Sequence, residues 1–496
     1  MPLSITLSDG TTTATLTDGT NFDIHYGGLK LGMPTRNRVY AQPWGRGFAP
    51  FAGQTDYNRE CTIDLFIRGA SLDNWNANYR SIAGLLKGTG DYWRSNGAFG
   101  AACTLSVQLN GQTNATAYDV LAGDIDANDV GHPSMTITTG PWLSTAKLVL
   151  TLKPYGRPTA LTTVTSAVLT NGGGVSGGQT TAMSHLFTPL GDQNAPVRLT
   201  ITGLSSGAIS NASQRFVVGR RTRGLTSNFI SVFHAETTIA SSTGQSTYPG
   251  YTVLIPTSGG GIDRVADTSA ENGAFTRLRM PTGAQNATRR MSWGIDSASD
   301  FMGSFRVYLR MASGAGTATD YGLSIGWGGD SATYRASNAP VVTPIGATAR
   351  IFDMGTITVP LNDAPTTAVP TMWIHLLASA TSGTSANAFG VDALYLVPSD
   401  EQFVEARFST AAADILVLND LSPIPNGYTL TSASVPRSDI ITMVQRTPLS
   451  VVPGRGNIWV ALAMEEGAGT TNIGYSLART FTMSFDYYPL YDQFAS

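Results

Sequence analysis

The run Cys61-Thr-Ile-Asp-Leu-Phe-Ile-Arg68 alternates strictly, with Cys61, Ile63, Leu65 and Ile67 on one side and Thr62, Asp64 and Arg68 on the other. A period of two marks a half-buried strand and excludes a helix over the same residues. The pattern returns in Cys103-Thr-Leu-Ser-Val-Gln-Leu109, in Leu148, Leu150 and Leu152, and in Val197, Leu199 and Ile201. Further on it marks Phe305, Val307 and Leu309, then Ile357 and Val359, and the runs that begin at Met372 and Gly390. Ile415-Leu-Val-Leu418, Asn457-Ile-Trp-Val-Ala-Leu-Ala463 and Thr480-Phe-Thr-Met-Ser-Phe-Asp-Tyr487 continue it to the end. Short strands joined by Gly-, Ser- and Thr-rich turns imply antiparallel sandwiches.

One segment breaks this rhythm. Ser71 suits an N-cap, Asp73 and Asn74 suit a first turn, and Trp75, Tyr79, Ile82 and Leu86 recur at helical spacing. Gly88 and Gly90 read as its stop signals. The fold class expected is therefore mainly β: an N-terminal β-sheet domain with one packed helix, followed by nested antiparallel, jelly-roll-like β-sandwich domains. A length of 496 residues suits about three domains. The boundaries expected are 1–160 for the first domain, 161–232 plus 403–496 for the second, and 233–402 for a sandwich inserted into the second. A Thr/Ser/Gly-rich stretch around Thr170-Asn-Gly-Gly-Gly reads as a flexible connector or long loop, and a second Gly/Ser/Thr-rich region, roughly Thr237 to Gly261, interrupts the strands.

Charge excludes several functions. Only 13% of residues are charged, about half the usual share, and 31 basic against 34 acidic residues leave a net charge of −3. No basic field exists to hold a nucleic-acid backbone. No apolar run reaches the length of a bilayer span, and the start Met-Pro-Leu-Ser-Ile-Thr lacks a secretory pattern, so a cytosolically made, unanchored chain without membrane insertion is expected. Cys61 and Cys103 read as buried thiols, with a disulfide between neighbouring strands as the alternative.

Catalytic signatures are weak. Gly322-Leu-Ser-Ile-Gly326 fits the nucleophile-elbow pattern, with Asp363 and His375 downstream, but no helical period follows it, and Ser324 reads as a solvent-facing strand residue. The five histidines are scattered, without metal-ligand spacing. Asp400-Glu401 and Glu465-Glu466 are adjacent carboxylates, which on a strand point apart, and both read as loop surface. No catalytic residue, metal or cofactor is expected.

Two binding features remain. Tyr321, Trp327 and Tyr334 cluster in sequence beside Asp330 and Arg335; flat rings stack on sugar C–H faces and the polar groups could meet hydroxyls. The competing reading has Trp327 filling the sandwich core or plugging a turn. Gln42-Pro-Trp-Gly-Arg-Gly-Phe-Ala-Pro-Phe-Ala-Gly53 has no strand or helix period, yet holds Trp44, Phe48 and Phe51 around Arg46. Such a run must pack against its own sheet or against a neighbouring subunit.

The order of parts in the first domain resembles the N-terminal domain of siphophage distal tail proteins. It runs from an opening strand pair, through a long loop ending Gly53-Gln-Thr-Asp-Tyr-Asn-Arg-Glu60, to the strand at Cys61, the helix at Ser71 and the closing Leu148-Val-Leu-Thr-Leu-Lys-Pro-Tyr155. Phe485-Asp-Tyr-Tyr-Pro489 has a similar flavour. The segment holding Gly303-Ser-Phe-Arg-Val-Tyr-Leu-Arg310, Asp353-Met-Gly-Thr-Ile-Thr-Val-Pro360 and Val391-Asp-Ala-Leu-Tyr-Leu-Val-Pro398 resembles jelly-roll carbohydrate-binding modules. The resemblance implies a virion tail protein, made in the host cytoplasm, that forms a homo-oligomeric ring, a hexamer being favoured. Its partners would be a tail tube protein, a tail hub or tip protein, and host surface polysaccharide. Trp44, Arg46, Phe48 and Phe51 would then reach the next subunit, and Tyr321, Trp327, Asp330 and Tyr334 would meet the sugar. The alternatives are a secreted or surface glycan-binding protein or glycosidase, and a tail fibre or other tail subunit.

Overall fold

The structure is a computed structural model. It describes residues 3–34, 36–40, 51–126, 134–135, 142–171, 183–203, 213–222, 230–236, 244–248, 251–255, 262–267, 270, 273–279, 284–295, 303–312, 320–329, 331, 333–334, 336–344, 350–359, 372–380, 388–409, 413–421, 427–432, 435–439, 441–466, 473–474 and 479–492. The statements below concern these residues. The chain is mainly β, with one helix and several antiparallel sheets.

The first sheet has nine strands. Thr13–Thr15, Ser4–Ser8, Cys103–Gln108, Thr116–Ile125, Trp142–Leu152, Arg59–Gly69 and Phe22–Leu31 follow one another in space, with two short strands off this path. Every second residue of Arg59–Gly69 is buried, as the alternation requires. The helix Leu72–Arg94 lays Trp75, Ile82, Leu85 and Leu86 on that face, and Trp75 donates from Nε1 to Ser144 Oγ at 3.0 Å. Ser71 caps the helix, its Oγ accepting from Asn74 N at 3.2 Å. The expected stop at Gly88 and Gly90 is wrong: the helix runs to Arg94 and is capped by Ser95. Tertiary bonds carry it past the glycines. Thr89 Oγ1 donates to Val120 O at 2.9 Å and accepts from Cys103 N at 3.0 Å, while Trp93 Nε1 donates to Val120 O at 2.7 Å. Cys61 and Cys103 are buried and free; two strands separate theirs in the sheet, so the alternative of a disulfide between neighbouring strands fails.

Four further sheets form a stack. The first has eight strands, among them Thr162–Thr165, Arg479–Tyr487, Ala195–Thr202 and Ala413–Asn419. The second has five: Ser184–Phe187, Asn457–Glu466, Ser213–Arg221, Gln402–Ser409 and Ile441–Arg446. The third, termed here the inner sheet, has seven, centred on Ala388–Pro398, Gly303–Ala312 and Arg350–Val359. The outer sheet has seven, centred on Gln285–Ile295, Met372–Ala380 and Asp320–Gly328.

The five-stranded sheet is buried on both faces. Phe216, Val218, Trp459 and Ala461 join the core shared with Val197, Leu199 and Ile201 of the eight-stranded sheet. Val217, Val460, Leu462 and Met464 face the other way, into the core that holds the inner and outer sheets. Sheets buried on both sides lose the apolar–polar alternation, and Ser213–Arg221 accordingly reads Arg-Phe-Val-Val-Gly-Arg-Arg over its last seven residues, every one buried. Gly219 is required there, because a Cβ would collide with the Pro398 carbonyl of the inner sheet. All strands from Val232–His234 to Ala388–Pro398 pair among themselves, apart from Ile473–Gly474, which joins Arg350–Val359. Their core is continuous with that of the five-stranded sheet.

The region from Thr237 to Gly261, expected to interrupt the strands, contains two of them. Gly244–Tyr248 and Tyr251–Ile255 form a hairpin on the edge of the outer sheet, with Tyr251, Val253 and Ile255 in the core. The end of the chain returns to the first unit, where Arg59 Nη2 donates to Asp492 O at 2.6 Å and the Arg157 guanidinium lies 4.2 Å from the Tyr488 ring centre.

Candidate functional site

Of the four residues expected to meet sugar, the structure describes Tyr321, Trp327 and Tyr334. Tyr321 and Trp327 lie six residues apart on Asp320–Gly328, so they point to the same face as Leu323 and Ile325, and that face is the core. Tyr321 is buried, its ring 5.2 Å from Phe389. Trp327 packs at the margin of the core and donates from Nε1 to Thr358 O at 3.0 Å, tying the outer sheet to the inner one. Tyr334 follows the strand and is 41% exposed, its ring resting over Gly326. Asp330 and Arg335 lie outside the described residues.

Of the aromatic run, Trp44, Arg46 and Phe48 lie outside the described residues, and only the backbone of Phe51 is described. The residues on either side are strands rather than a long loop: Arg36–Tyr40 pairs with Phe51–Asp56, from Arg36 opposite Asp56 to Tyr40 opposite Phe51. Among the described residues these two strands form a sheet of their own.

The nucleophile-elbow pattern does not form an elbow. Ser324 sits inside a continuous strand, opposite Leu377, and is buried rather than solvent-facing. His375 is buried in the neighbouring strand, with Nδ1 2.7 Å from Ser292 Oγ; Asp363 lies outside the described residues. Among the described residues no three His, Cys, Asp or Glu side chains group as metal ligands, and no helix is long and apolar enough to cross a membrane. Glu401 is not free loop surface either: it accepts from Thr222 N at 3.0 Å and pairs with Arg220 at 3.3 Å. Glu465 and Glu466 lie on the strand Asn457–Glu466, not in a loop.

The strongest electrostatic feature escaped the sequence reading. Where the five-stranded sheet meets the inner sheet, Arg215 is 4% exposed. Its Nη2 lies 2.8 Å from Asp353 Oδ2 across the seam, and its Nε 2.8 Å from Glu405 Oε1 on the neighbouring strand. The guanidinium sits 5.6 Å from the centre of the Tyr308 ring. Arg306 Nη2 reaches Asp353 Oδ2 at 2.6 Å, and Arg407 Nε lies 3.5 Å from Glu405 Oε1. Burial alone would raise the Asp353 pKa, but Arg306, the Gly355 amide and Arg215 together hold it below the usual value. Deeper in the inner sheet Arg310 Nε pairs with Asp392 Oδ2 at 2.9 Å, both fully buried. The signal in the sequence was Arg306 and Arg310 on the face of their strand opposite Phe305, Val307 and Leu309.

Arg306 also lines an open cavity of about 430 Å³, together with Asn338, Ala339, Asp353, Gly355 and Thr356. Asn338 is fixed there, its N donating to Ile325 O at 3.0 Å and its Nδ2 to Met354 O at 2.6 Å. A second cavity, of about 320 Å³, opens on the first sheet between His25, Asp64, Phe66, Thr145 and Lys147.

No protein-family model and no curated protein matches the sequence. Solved structures do show likeness. The SPP1 Dit protein, described as a paradigm of the hub adsorption apparatus in phages that infect Gram-positive hosts, aligns over 98% of this chain and 99% of its own, at 7% identity and a TM-score of 0.33. The phage p2 baseplate in its activated conformation with Sr aligns over 98% of both chains, at 10% identity and a TM-score of 0.26. The same baseplate with Ca aligns over 98% of both, at 11% identity and a TM-score of 0.23.

Proposed function

We propose that this chain is a non-enzymatic structural subunit of a phage tail, forming a ring or collar at the distal tail end through residues 1–160. In this reading 161–232 with 403–496 make a second sandwich, and 233–402 are presented to host surface polysaccharide. The observation that carries the reading is the Arg36–Tyr40/Phe51–Asp56 hairpin, whose strands pair only with each other among the described residues. An isolated two-stranded hairpin is marginal in water, so a surface must hold it. The run between its strands, with Trp44, Arg46 and Phe48, suits the flank of a second copy. The order of strand pair, hairpin, strand, helix and closing strand supports the same assignment. Subunits joined head to tail close into a ring when their rotation closes, and several weak glycan contacts then gain by multivalency. A tail tube protein on one side and a hub or tip protein on the other complete the assembly.

Light scattering with electron microscopy of the same peak tests this. A closed ring is expected, six copies being favoured, and deletion of residues 41–50 should return monomers with an unchanged melting temperature. A monomer both alone and with the tail tube and hub proteins refutes the ring. A glycan array of the full chain, with Tyr334→Ala beside it, tests the sugar contact. Hydrolysis of any bound glycan would favour the glycosidase reading instead.

A further inference from the structure

The seam between the five-stranded and inner sheets carries surplus positive charge. Arg215, Arg306 and Arg407 face Asp353 and Glu405 there, three cations against two anions. Arg215 is enclosed, but the Arg306 side chain is 31% exposed. Only its Nη2 finds a hydrogen-bond partner among the described residues, and the side chain lines the cavity. Beside it Asn338 has committed its N and Nδ2 inward, which leaves Oδ1 to accept from a ligand, and Thr356 is exposed on the same wall. Gly355, at φ +84°, shapes the floor; a Cβ there would come within 3.3 Å of Asn338 Nδ2.

We propose that this cavity binds an acidic saccharide, its carboxylate on Arg306 and its hydroxyls on Asn338 and Thr356. The surplus cation calls for an anion, and a guanidinium N–H donates well to a carboxylate. The adjoining acceptor and hydroxyl call for hydroxyl donors on the same molecule. An acidic sugar carries both, whereas a neutral sugar leaves the net positive charge of the five-residue cluster unbalanced and a simple carboxylate leaves Asn338 unused. The proposal rests on the glycan-contact reading above and deepens it, moving the contact from the buried Tyr321 to the seam.

Calorimetric or NMR titration of the full chain with D-glucuronate, D-glucose and acetate tests it. Glucuronate should bind at least tenfold more tightly than glucose or acetate, and more weakly as ionic strength rises. Arg306→Gln should abolish the preference. Because that variant also removes a partner of Asp353, Ala339→Trp, which fills the mouth and leaves every ion pair in place, should abolish binding independently. Equal binding of glucose and glucuronate overturns the carboxylate assignment and leaves the glycan reading standing. Glucuronate binding that survives both variants overturns the cavity. No binding of glucuronate overturns the proposal, and only an empty glycan array as well would overturn the broader reading.

Discussion

Replacing Arg215 with Met should open the seam and lower stability strongly. The guanidinium is 4% exposed and holds Glu405, also 4% exposed, at 2.8 Å and Asp353 at 2.8 Å. Removing one partner of a buried pair leaves an uncompensated charge and costs about 3–5 kcal/mol. Asp353 keeps Arg306 at 2.6 Å, so the loss falls mainly on Glu405, whose remaining neighbour Arg407 is 3.5 Å away. The apolar contacts of Val217, Leu462 and Met464 stay in place, so the sheets should loosen without separating. For a cooperative unit of this size each kcal/mol moves the melting point by about 2–4 °C, which gives a fall of about 6–20 °C by scanning calorimetry. Adding Glu405→Gln to Arg215→Met removes the stranded charge and should recover part of that loss, a coupling of about 0.5–3 kcal/mol. A fall below about 1 kcal/mol, or a second substitution that adds its full cost to the first, would refute the seam as an electrostatic clamp.

Three other outcomes are expected. Asp353 and Asp119 both have depressed pKa values: burial opposes the shift in each, but Arg306 overrides it at Asp353, and Lys153 and Arg157 override it at Asp119. Their contribution is therefore complete above the unfolded value of about 3.9 and is lost as pH falls through the lower folded values; melting temperature should hold from neutral pH to about pH 5 and fall below about pH 4, the fall becoming shallower in Asp119→Asn. Burial pushes the thiols of Cys61 and Cys103 up to about 12, so a disulfide reagent at pH 8 should label neither in the native chain and both in denaturant; rapid native labelling would contradict the packed core. Gly88 and Gly90 lie inside the helix with open space where a Cβ would stand, so each change to Ala should stabilise the N-terminal unit by about 0.5–1 kcal/mol in a denaturant titration.

Where one strand faces solvent on one side, its pattern was enough. Cys61, Ile63, Leu65 and Ile67 follow the alternation into the core. The helix start was equally legible, because Ser71 and Asn74 act locally. Its end was not, since Thr89 and Trp93 are held by Val120, a residue of another strand. The hairpin at Tyr251 was hidden by Ser, Thr and Gly around it, although Tyr251, Val253 and Ile255 alternate. The inward direction of Tyr321 and Trp327 was open to counting: residues separated by two, four or six on a strand share a face, so the two go where Leu323 and Ile325 go. Proximity in sequence drew Tyr334 into a group from which the end of the strand separates it.

The seam was illegible in a deeper sense. Arg306 and Arg310 occupy alternate positions on a strand, which is also how a solvent-facing edge would look. Only the arrival of Arg215 and Glu405, from the strands Ser213–Arg221 and Gln402–Ser409 of another sheet, makes that face an interior. A chain with so few charges places several of them where desolvation is most costly, and such pairs favour one arrangement over others more than they add stability. Gly219 against Pro398 has the same effect in steric form, since no other residue allows that approach. Gly219 lies two residues before the end of Ser213–Arg221 and Arg215 two residues after its start, so the two devices act towards opposite ends of the same strand. The strands from Val232–His234 to Ala388–Pro398 are therefore held against the five-stranded sheet by ion pairs and by close backbone approach along the seam, so a load on them bears on the core the two share.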